Sequence, residues 1–175
     1  MPEKTLNNET LLVTSRFNIE RVTQSLPDGQ LHRREVVRHP GAVVILPVLD
    51  DGSICLIKNY RVAVNQTLLE LPAGTLDAGE PPLQTAHREL AEETGYRCGS
   101  MQPLCEFFMS PGILDERMHA FVATELMEGK PARETGEQIE NVLVSPEELD
   151  QLIRAGRIQD SKSLSALHYF LRYST

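Results

Sequence analysis

The sequence predicts a mixed α/β protein with a small antiparallel sheet at its N-terminal end. The apolar run 42–49 has the length and composition of a buried strand. Residues 82–94 show helical spacing of apolar side chains and lie between prolines and a glycine. Short strand-like segments separated by a Pro-Asp-Gly turn come before residue 40. We therefore divide the chain into an N-terminal β segment, residues 1–40, and a main domain, residues 41–175.

Composition limits the classes of protein to which the chain can belong. Its 175 residues suit one domain with a full core, and 41% hydrophobic with 24% charged residues is typical of soluble globular proteins. The formal net charge of −8 argues against a nucleic-acid backbone as the main partner, although it does not exclude an anionic nucleotide. No apolar run is long enough to cross a membrane, and the first residues lack a signal-peptide core.

The cysteines indicate the redox compartment. Cys55, Cys98 and Cys105 are odd in number and show neither zinc-binding nor redox spacing. We interpret them as reduced thiols of a cytoplasmic protein. A catalytic thiol is the less favoured alternative.

The N-terminal segment is predicted to form three short strands. Residues 1–8 are polar, and we expect them to be loose. Strands are expected at 11–13, 17–22 and 31–38, with a turn at 27–29. Such a sheet buries too little apolar surface to be stable alone.

The main domain begins with the buried strand 42–49, which a turn at 50–52 joins to a returning strand at 54–61. Later strands are expected at 118–126 and 142–144, with a mobile loop at 128–138 between them. A helix is expected after Ser145, because Glu148 completes a capping box with it. Asp160 or Ser161 caps a last helix.

The central helix is predicted from both its ends and its periodicity. Pro81 and Pro82 lie in its first turn, where proline is tolerated, and Gly95 occupies the usual left-handed terminating position. At about 100° per residue, one apolar stripe and one acidic face result. The stripe comprises Leu83, Ala86, Leu90 and Thr94, and the acidic face comprises Glu89, Glu92 and Glu93.

The crowding of three carboxylates on this helix requires an explanation. Like charges at i, i+4 destabilise a helix by roughly 0.2–0.5 kcal/mol per pair, and the dipole disfavours anions near the C-terminal end. A bound hard cation such as Mg²⁺, which prefers oxygen ligands, reverses both effects. The alternative is a solvated acidic face.

The whole stretch 74–96 resembles the Nudix box, G-x5-E-x7-R-E-U-x-E-E-x-G-U. Eight of its positions are matched, and Tyr96 stands where an aliphatic residue is usual. The matching residues are Gly74, Glu80, Arg88, Glu89, Leu90, Glu92, Glu93 and Gly95. The resemblance implies an α/β/α sandwich with a mixed sheet, here with the small N-terminal antiparallel sheet added. It also implies a hydrolase that cleaves a diphosphate linked to another moiety.

The resemblance also implies a role for each matching residue. Glu89, Glu92 and Glu93 would bind two or three Mg²⁺ ions, with Mn²⁺ as an alternative, and the backbone carbonyl of Ala73 would face the metal. Arg88 would orient the glutamates. Glu80 would be a structural partner.

Segments outside the box resemble the ADP-ribose pyrophosphatase branch of the family. Residues 59–61 resemble its QYR segment, 70–74 its ELPAG segment, and 110–116 its S-P-G-x-x-x-E segment. This resemblance implies hydrolysis of ADP-ribose to AMP and ribose 5-phosphate. Arg61 is then a candidate for gripping a diphosphate oxygen with its guanidinium fork, and Glu70 and Gly112 are further candidates for substrate binding.

Two alternatives for the function stay open. The substrate is another nucleoside diphosphate sugar, such as GDP-mannose, or the chain is a non-catalytic Nudix-fold module that senses a nucleotide. A purely structural acidic face on an interaction protein does not explain Gly74, Glu80 and Gly95 together.

The general base and the adenine site are less well defined. The candidates for the base are Glu116, Glu137 and Glu140, and we favour the last two because their loop could close over substrate. In the branch, an N-terminal sheet pairs with a second subunit and helps to form the adenine site, so we expect a homodimer. The alternative is a sheet packed on its own subunit. Candidates for stacking on adenine are Phe17, Arg16, Arg33, Arg34 and Tyr60.

Overall fold

The computed structural model describes residues 4–132 and 139–173, and the side chains from residue 7 onward within them. The chain divides into two compact units, one of Met1–Gly41 with Phe108–Arg117 and one of Ala42–Phe107 with Met118–Thr175. The strands are β1 (Lys4–Val13), β2 (Asn18–Ser25), β3 (Leu31–Arg38), β4 (Ala42–Pro47), β5 (Ile54–Arg61), β6 (Gln66–Glu70), β7 (Ala73–Thr75), β8 (Arg97–Phe108), β9 (Arg117–Met127) and β10 (Ile139–Val144). The helices are α1 (Pro82–Glu89), a π-helical turn (Leu90–Thr94), α2 (Pro146–Arg154) and α3 (Ser161–Tyr173).

The first unit is built on the antiparallel sheet β1-β2-β3. Lys4 pairs with Ser25, so β1 begins at Lys4, and the expectation that residues 4–8 are loose was wrong. Backbone pairing with β2 orders this polar stretch, in which the side chains of residues 7 and 8 are exposed. The stretch 108–117 joins this unit through a bridge from Val37 to Leu114, so the unit is not continuous in sequence.

The second unit contains a four-stranded mixed sheet and a three-stranded antiparallel sheet. The order β7-β4-β9-β8 combines a parallel pair, β4 with β9, and an antiparallel pair, β4 with β7. The other sheet has the order β10-β5-β6. The predicted α/β fold with a mixed sheet and a separate N-terminal antiparallel sheet is confirmed.

Strand β4 is the centre of this unit, and all six of its residues are buried. Its Val43 and Ile45 share one core cluster with Ala86 of α1 and Leu90 of the π-helical turn. Both α1 and α3 pack on β4. Because side chains alternate along a strand, an all-apolar strand is what packing on both faces requires.

The central helix has the predicted ends but not a uniform interior. It begins at Pro82 and ends at Gly95, whose φ of +83° is the left-handed conformation expected there. The hydrogen-bond pattern changes from α to π after Glu89. Leu83 is exposed, so the buried stripe begins at Ala86 rather than at Leu83.

The later helices begin where the sequence predicts. Ser145 and Glu148 form both hydrogen bonds of the capping box at the start of α2. Asp160 Oδ2 accepts hydrogen bonds from the amide and the hydroxyl of Ser163 at the start of α3. Among the described residues, no helix is both long and apolar enough to span a membrane.

Candidate functional site

Each of the three residues of the short strand β7 meets a charged side chain of the central helix. The amide of Ala73 donates to Glu93 Oε2 over 2.9 Å, and Arg88 Nη2 donates to the carbonyl of Thr75 over 3.4 Å. Because β7 pairs with the buried strand β4, these contacts fix the helix against the centre of the unit.

Gly74, between those two residues, makes room for Glu89. A Cβ atom at position 74 would overlap the carboxyl group of Glu89. The requirement for glycine here comes from this close approach, and the carboxylate of Glu89 therefore lies directly on the β7 backbone.

Arg88 is the hub of the charged cluster. Its Nη1 donates to Glu89 Oε1 over 2.7 Å and to Glu92 Oε2 over 3.0 Å. Its Nη2 donates to Glu80 Oε2 over 3.0 Å, and its Nε donates to Glu80 Oε1 over 3.3 Å. One guanidinium thus orients three carboxylates by using the fixed fork geometry of its donors.

These contacts favour the charged forms of both Glu80 and Arg88. The hydrogen bond from Arg88 lowers the pKa of Glu80, and Thr85 Oγ1, which donates to Glu80 over 2.9 Å, adds to the effect. The hydrogen bond to Glu80 in turn raises the pKa of Arg88 despite partial burial, and the charge of Glu89 and the hydrogen bonds to Glu92 and Glu89 add to it. Both partners are therefore charged at neutral pH.

The three glutamates of the acidic face are not splayed into solvent. Glu93 is 3% exposed, the Glu89 side chain 13% and the Glu92 side chain 31%, so the face runs from the interior to the surface. Oxygens of Glu89 and Glu92 converge on one nitrogen of Arg88, which is the cation that they share here. A set of carboxylate oxygens on one face is the donor chemistry that suits a hard divalent ion.

In the described part of the chain, no three His, Cys, Asp or Glu side chains form a closed metal-binding group. Instead, Arg88 binds Glu89 and Glu92, and the amide of Ala73 binds Glu93. The cluster fits a cation in its donor chemistry and burial.

The π-helical turn is held at its C-terminal end by two other segments. The carbonyl of Glu92 accepts a hydrogen bond from the amide of Ala132 over 3.0 Å, and the carbonyl of Thr94 accepts one from Asn141 Nδ2 over 2.7 Å. A Cβ on Gly95 would come within 2.8 Å of the carbonyl oxygen of Gly129. The hydrogen bonds from Ala132 and Asn141 supply partners for two carbonyl groups that the end of a helix leaves without one. The sequence carries no local signal for Asn141.

A second charged group lies beside Glu93. Arg61 Nε donates to Glu70 Oε1 over 2.9 Å, and Arg61 Nη2 donates to Glu70 Oε2 over 2.6 Å. This hydrogen bonding raises the pKa of Arg61 against the effect of burial, and the charges of Asp160 and Glu93 contribute to the same shift. Arg61 is therefore within electrostatic reach of the acidic face.

The structure changes the interpretation of Arg61 and Glu70. The fork that we expected to grip a diphosphate is occupied by Glu70, whereas Nη1 is not part of this pair. Glu70 is only 1% exposed, so it lies beneath Arg61 rather than at the surface. Sequence reasoning missed its second partner, Lys162, because 92 residues separate the two in the chain.

Two of the three predicted bases, Glu140 and Glu116, lie among the residues that the structure describes. Glu140 lies opposite Lys58 in register and pairs with it over 3.1 Å, with a side chain that is 68% exposed. Alternation along β10 directs Glu140 away from the face on which Asn141 contacts Thr94. Glu116, in the first unit, lies 3.8 Å from His39 Nδ1. Glu137 and the loop residue Glu134 lie outside the described residues.

The other candidates for substrate binding lie in several places. Phe17 is partly exposed in the turn between β1 and β2, and Gly112 lines a cavity of about 200 Å³ in the first unit. Arg34 donates to His32 over 2.7 Å, and the hydroxyl of Tyr60 donates to Asn65 over 2.6 Å. The remaining two candidates, Arg16 and Arg33, are exposed.

The alternative of a catalytic thiol loses support. Burial raises the pKa of Cys55 to about 12. Burial also raises the pKa of Cys98, with a contribution from Glu125, and that of Cys105. Because the thiolate is the nucleophile, these upward pKa shifts disfavour a nucleophilic role for the three thiols.

The α/β fold and the arginine-glutamate cluster together define a class of protein. Comparison with known proteins identifies that class. The NUDIX domain model matches residues 37–167. The chain therefore belongs to the Nudix family.

Particular relatives cover nearly the whole chain. An ADP-ribose pyrophosphatase of Bacillus subtilis (strain 168) is 37% identical over 171 residues, which are 97% of this chain and 92% of that protein. A GDP-mannose pyrophosphatase of Shigella flexneri is 34% identical over 180 residues, at 94% and 93% coverage. A crystal structure titled ADP compounds hydrolase superposes with a TM-score of 0.86 at 25% identity, covering 99% of this chain and 94% of that one.

Proposed function

We propose that the protein is a Nudix pyrophosphohydrolase that cleaves ADP-ribose to AMP and ribose 5-phosphate. The observation that carries the proposal is the cluster in which Arg88 orients Glu80, Glu89 and Glu92 while β7 holds Glu93. Relatives named as ADP-ribose pyrophosphatases, at 37% and 42% identity, support the choice of substrate.

The proposal includes a requirement for divalent metal. Glu89, Glu92 and Glu93, with the backbone carbonyl of Ala73, would hold Mg²⁺, or Mn²⁺ as an alternative, at two or three ions. When bound, such an ion screens the charge of a diphosphate and lowers the pKa of a coordinated water molecule.

The chain's own residues have separable roles in this proposal. Arg88 keeps the glutamates on one face, and the amide of Ala73 keeps Glu93 pointing at β7. Arg61, within reach of the charge of Glu93, offers Nη1 to a phosphate oxygen. These groups pre-organise the site before substrate arrives.

Hydrolysis of the diphosphate by water requires a group that accepts one proton. The oxygen of water forms a bond to one phosphorus, the bond from that phosphorus to the bridging oxygen breaks, and a carboxylate takes the proton of water. We propose Glu137 or Glu116 for this role, since Glu140 is exposed and paired with Lys58. Separate Glu137→Gln and Glu116→Gln variants would identify the base by the larger loss of kcat.

The proposal also covers the assembly and the adenine site. The N-terminal segment, residues 1–40, is the dimerising part, and residues 41–175 are the catalytic domain. Leu12, Val13 and Leu31 are exposed on its small sheet, which favours self-association. Phe17 and Gly112 are proposed contacts of the substrate. A cytoplasmic location is part of the same proposal.

A second candidate substrate has a specific observation in its favour. Relatives named GDP-mannose pyrophosphatases match 94% of the chain. A non-catalytic sensor of nucleotides is less favoured, because the full set of carboxylates is present on the helix.

A panel assay tests these possibilities together. The protein is incubated with Mg²⁺ and ADP-ribose, GDP-mannose or other nucleotide sugars, and the products are treated with phosphatase. Cleavage exposes phosphate monoesters, so released phosphate reports hydrolysis. Preference for ADP-ribose supports the proposal, and preference for GDP-mannose replaces the substrate. Tight binding of ADP-ribose without hydrolysis of any compound indicates a sensor.

A further inference from the structure

Lys162 is a buried cation that none of the roles above uses. Its side chain is 9% exposed, and its Nζ lies 2.6 Å from Glu70 Oε2 and 2.9 Å from Asp160 Oδ2. A buried ammonium is costly unless it is paired. Two carboxylates at hydrogen-bonding distance satisfy this requirement, and the group also includes Arg61 through Glu70.

The carboxylate of Glu70 is shared between two cations. Its Oε2 accepts from both Arg61 Nη2 and Lys162 Nζ, while its Oε1 accepts from Arg61 Nε. Arg61, Lys162, Glu70 and Asp160 form a group of two cations and two anions. Without Lys162, the group has a net negative charge. The carboxylate of Glu70 then has Arg61 as its only cation within the group.

The group is also tied to the backbone that leads into β7. Ser163 Oγ accepts a hydrogen bond from the amide of Leu71 over 2.7 Å and donates to Asp160 Oδ2 over 2.6 Å. Leu71 follows Glu70 and comes two residues before Ala73, the amide of which holds Glu93. The first turn of α3 thereby fixes the connection between β6 and the site.

We propose that Lys162 is a positioning residue that keeps Arg61 available to an anionic diphosphate by sharing the carboxylate of Glu70. Asp160 holds Lys162 in place through their ion pair. Burial opposes the ionisation of Asp160, but the charge of Lys162 and the hydrogen bonds from Ser163 lower the pKa of Asp160. The inference rests on the proposed function, since it names a residue that supports substrate binding at the same site.

Steady-state kinetics with ADP-ribose and Mg²⁺ test the inference. Lys162→Met is expected to raise KM by about tenfold while kcat changes by less than about threefold, because the lost positive charge affects binding of the anion. Lys162→Arg, which keeps the charge, restores most of the affinity. Lys162→Met combined with Asp160→Asn restores charge neutrality but not the second partner of Glu70, so its KM is expected to stay raised. A return of KM to the wild-type value in this double variant would overturn the sharing of Glu70 as the cause.

A surface variant controls for net charge. Arg154→Met removes one positive charge from a side chain that is 77% exposed on α2, and its KM is expected to stay unchanged. Thermal unfolding of each variant shows whether it is folded. If Lys162→Met does not fold, the double variant and Lys162→Arg still decide the question. The inference is overturned if KM of Lys162→Met equals that of wild type, or if Lys162→Arg is as impaired as Lys162→Met.

Binding measurements separate this inference from the proposed function. Calorimetry with the α,β-methylene analogue of ADP-ribose, in EDTA, reports binding without metal or turnover. Wild-type binding that weakens in Lys162→Met, with no hydrolysis of any nucleotide sugar, overturns only the proposed function. Hydrolysis by wild type with equal binding by Lys162→Met overturns only the role of Lys162. No binding by wild type in EDTA, together with no hydrolysis of any nucleotide sugar with Mg²⁺, overturns both.

Discussion

At the scale of single residues, Gly74 shows how the absence of a side chain serves the site. The space that a Cβ would fill is taken by the carboxylate of Glu89. The residue is required by a contact across the fold rather than by its backbone conformation. Such a glycine cannot be replaced without moving an acidic group that the proposed chemistry uses.

Gly74→Ala is expected to displace Glu89 and weaken the affinity of the site for Mg²⁺. The concentration of Mg²⁺ for half-maximal activity should rise by about tenfold, because one carboxylate ligand is misplaced. Gly99→Ala is the matched control, since a Cβ there would meet the carboxylate of Glu125 instead. Equal metal dependence in Gly74→Ala and Gly99→Ala would contradict the role of Glu89.

Glu93→Gln tests the most buried glutamate of the acidic face. Glutamine keeps the size of the side chain and can still accept from the amide of Ala73. Removal of the charge should lower kcat by about 10³-fold or more with little change in KM, as expected for a group that stabilises the transition state. Glu147→Gln, at an exposed position in the first turn of α2, is the control. Turnover by Glu93→Gln close to that of wild type would refute a ligand role.

At the scale of elements, the central helix combines local signals with distant contacts. Its ends are set by Pro82 and Gly95, and these could be predicted because proline and glycine act through their own backbone. The π-helical turn could not be predicted, since its carbonyls find partners in Ala132 and Asn141. Turns of this type are frequent at functional sites.

Asn141→Ala is expected to lower the free energy of unfolding by about 1 kcal/mol, because the carbonyl of Thr94 loses a partly buried partner. Urea denaturation measures the change. Leu143→Ala is the control, as Leu143 is exposed on the same strand and should cost less than about 0.5 kcal/mol. An Asn141→Ala midpoint no lower than that of Leu143→Ala would show that this hydrogen bond does not stabilise the turn.

At the scale of the whole molecule, the N-terminal sheet has an exposed apolar surface. Leu12, Val13 and Leu31 are all exposed on a three-stranded sheet. Such a sheet needs a hydrophobic face or a packed helix to be stable by itself. We expect a homodimer that forms through this sheet, as proposed above.

Leu12→Glu combined with Val13→Glu is expected to convert this dimer to a monomer, because charge on the strand opposes its burial. Sedimentation velocity measures the mass in solution. Val62→Glu, at a position that is 80% exposed in the second unit, controls for an added surface charge. A monomeric wild type would favour the alternative that the sheet packs on its own subunit.

Chemistry that acts over a few residues could be predicted from the chain alone. The caps at Ser145 and Asp160, the ends of the central helix and the acidic face follow from side chains that interact with their near neighbours. The mixed α/β fold follows from the apolar runs, because burial of such strands demands layers on both sides.

Contacts between distant segments settle the rest. Three features appear only once the strands and helices are packed. They are the pairing of Arg61 with Glu70, the sharing of Glu70 with Lys162, and the space that Gly74 leaves for Glu89. The physical reason is that charge sharing and close approach depend on distances in space. Residues that are 92 positions apart in the chain leave no periodic pattern from which such distances can be inferred.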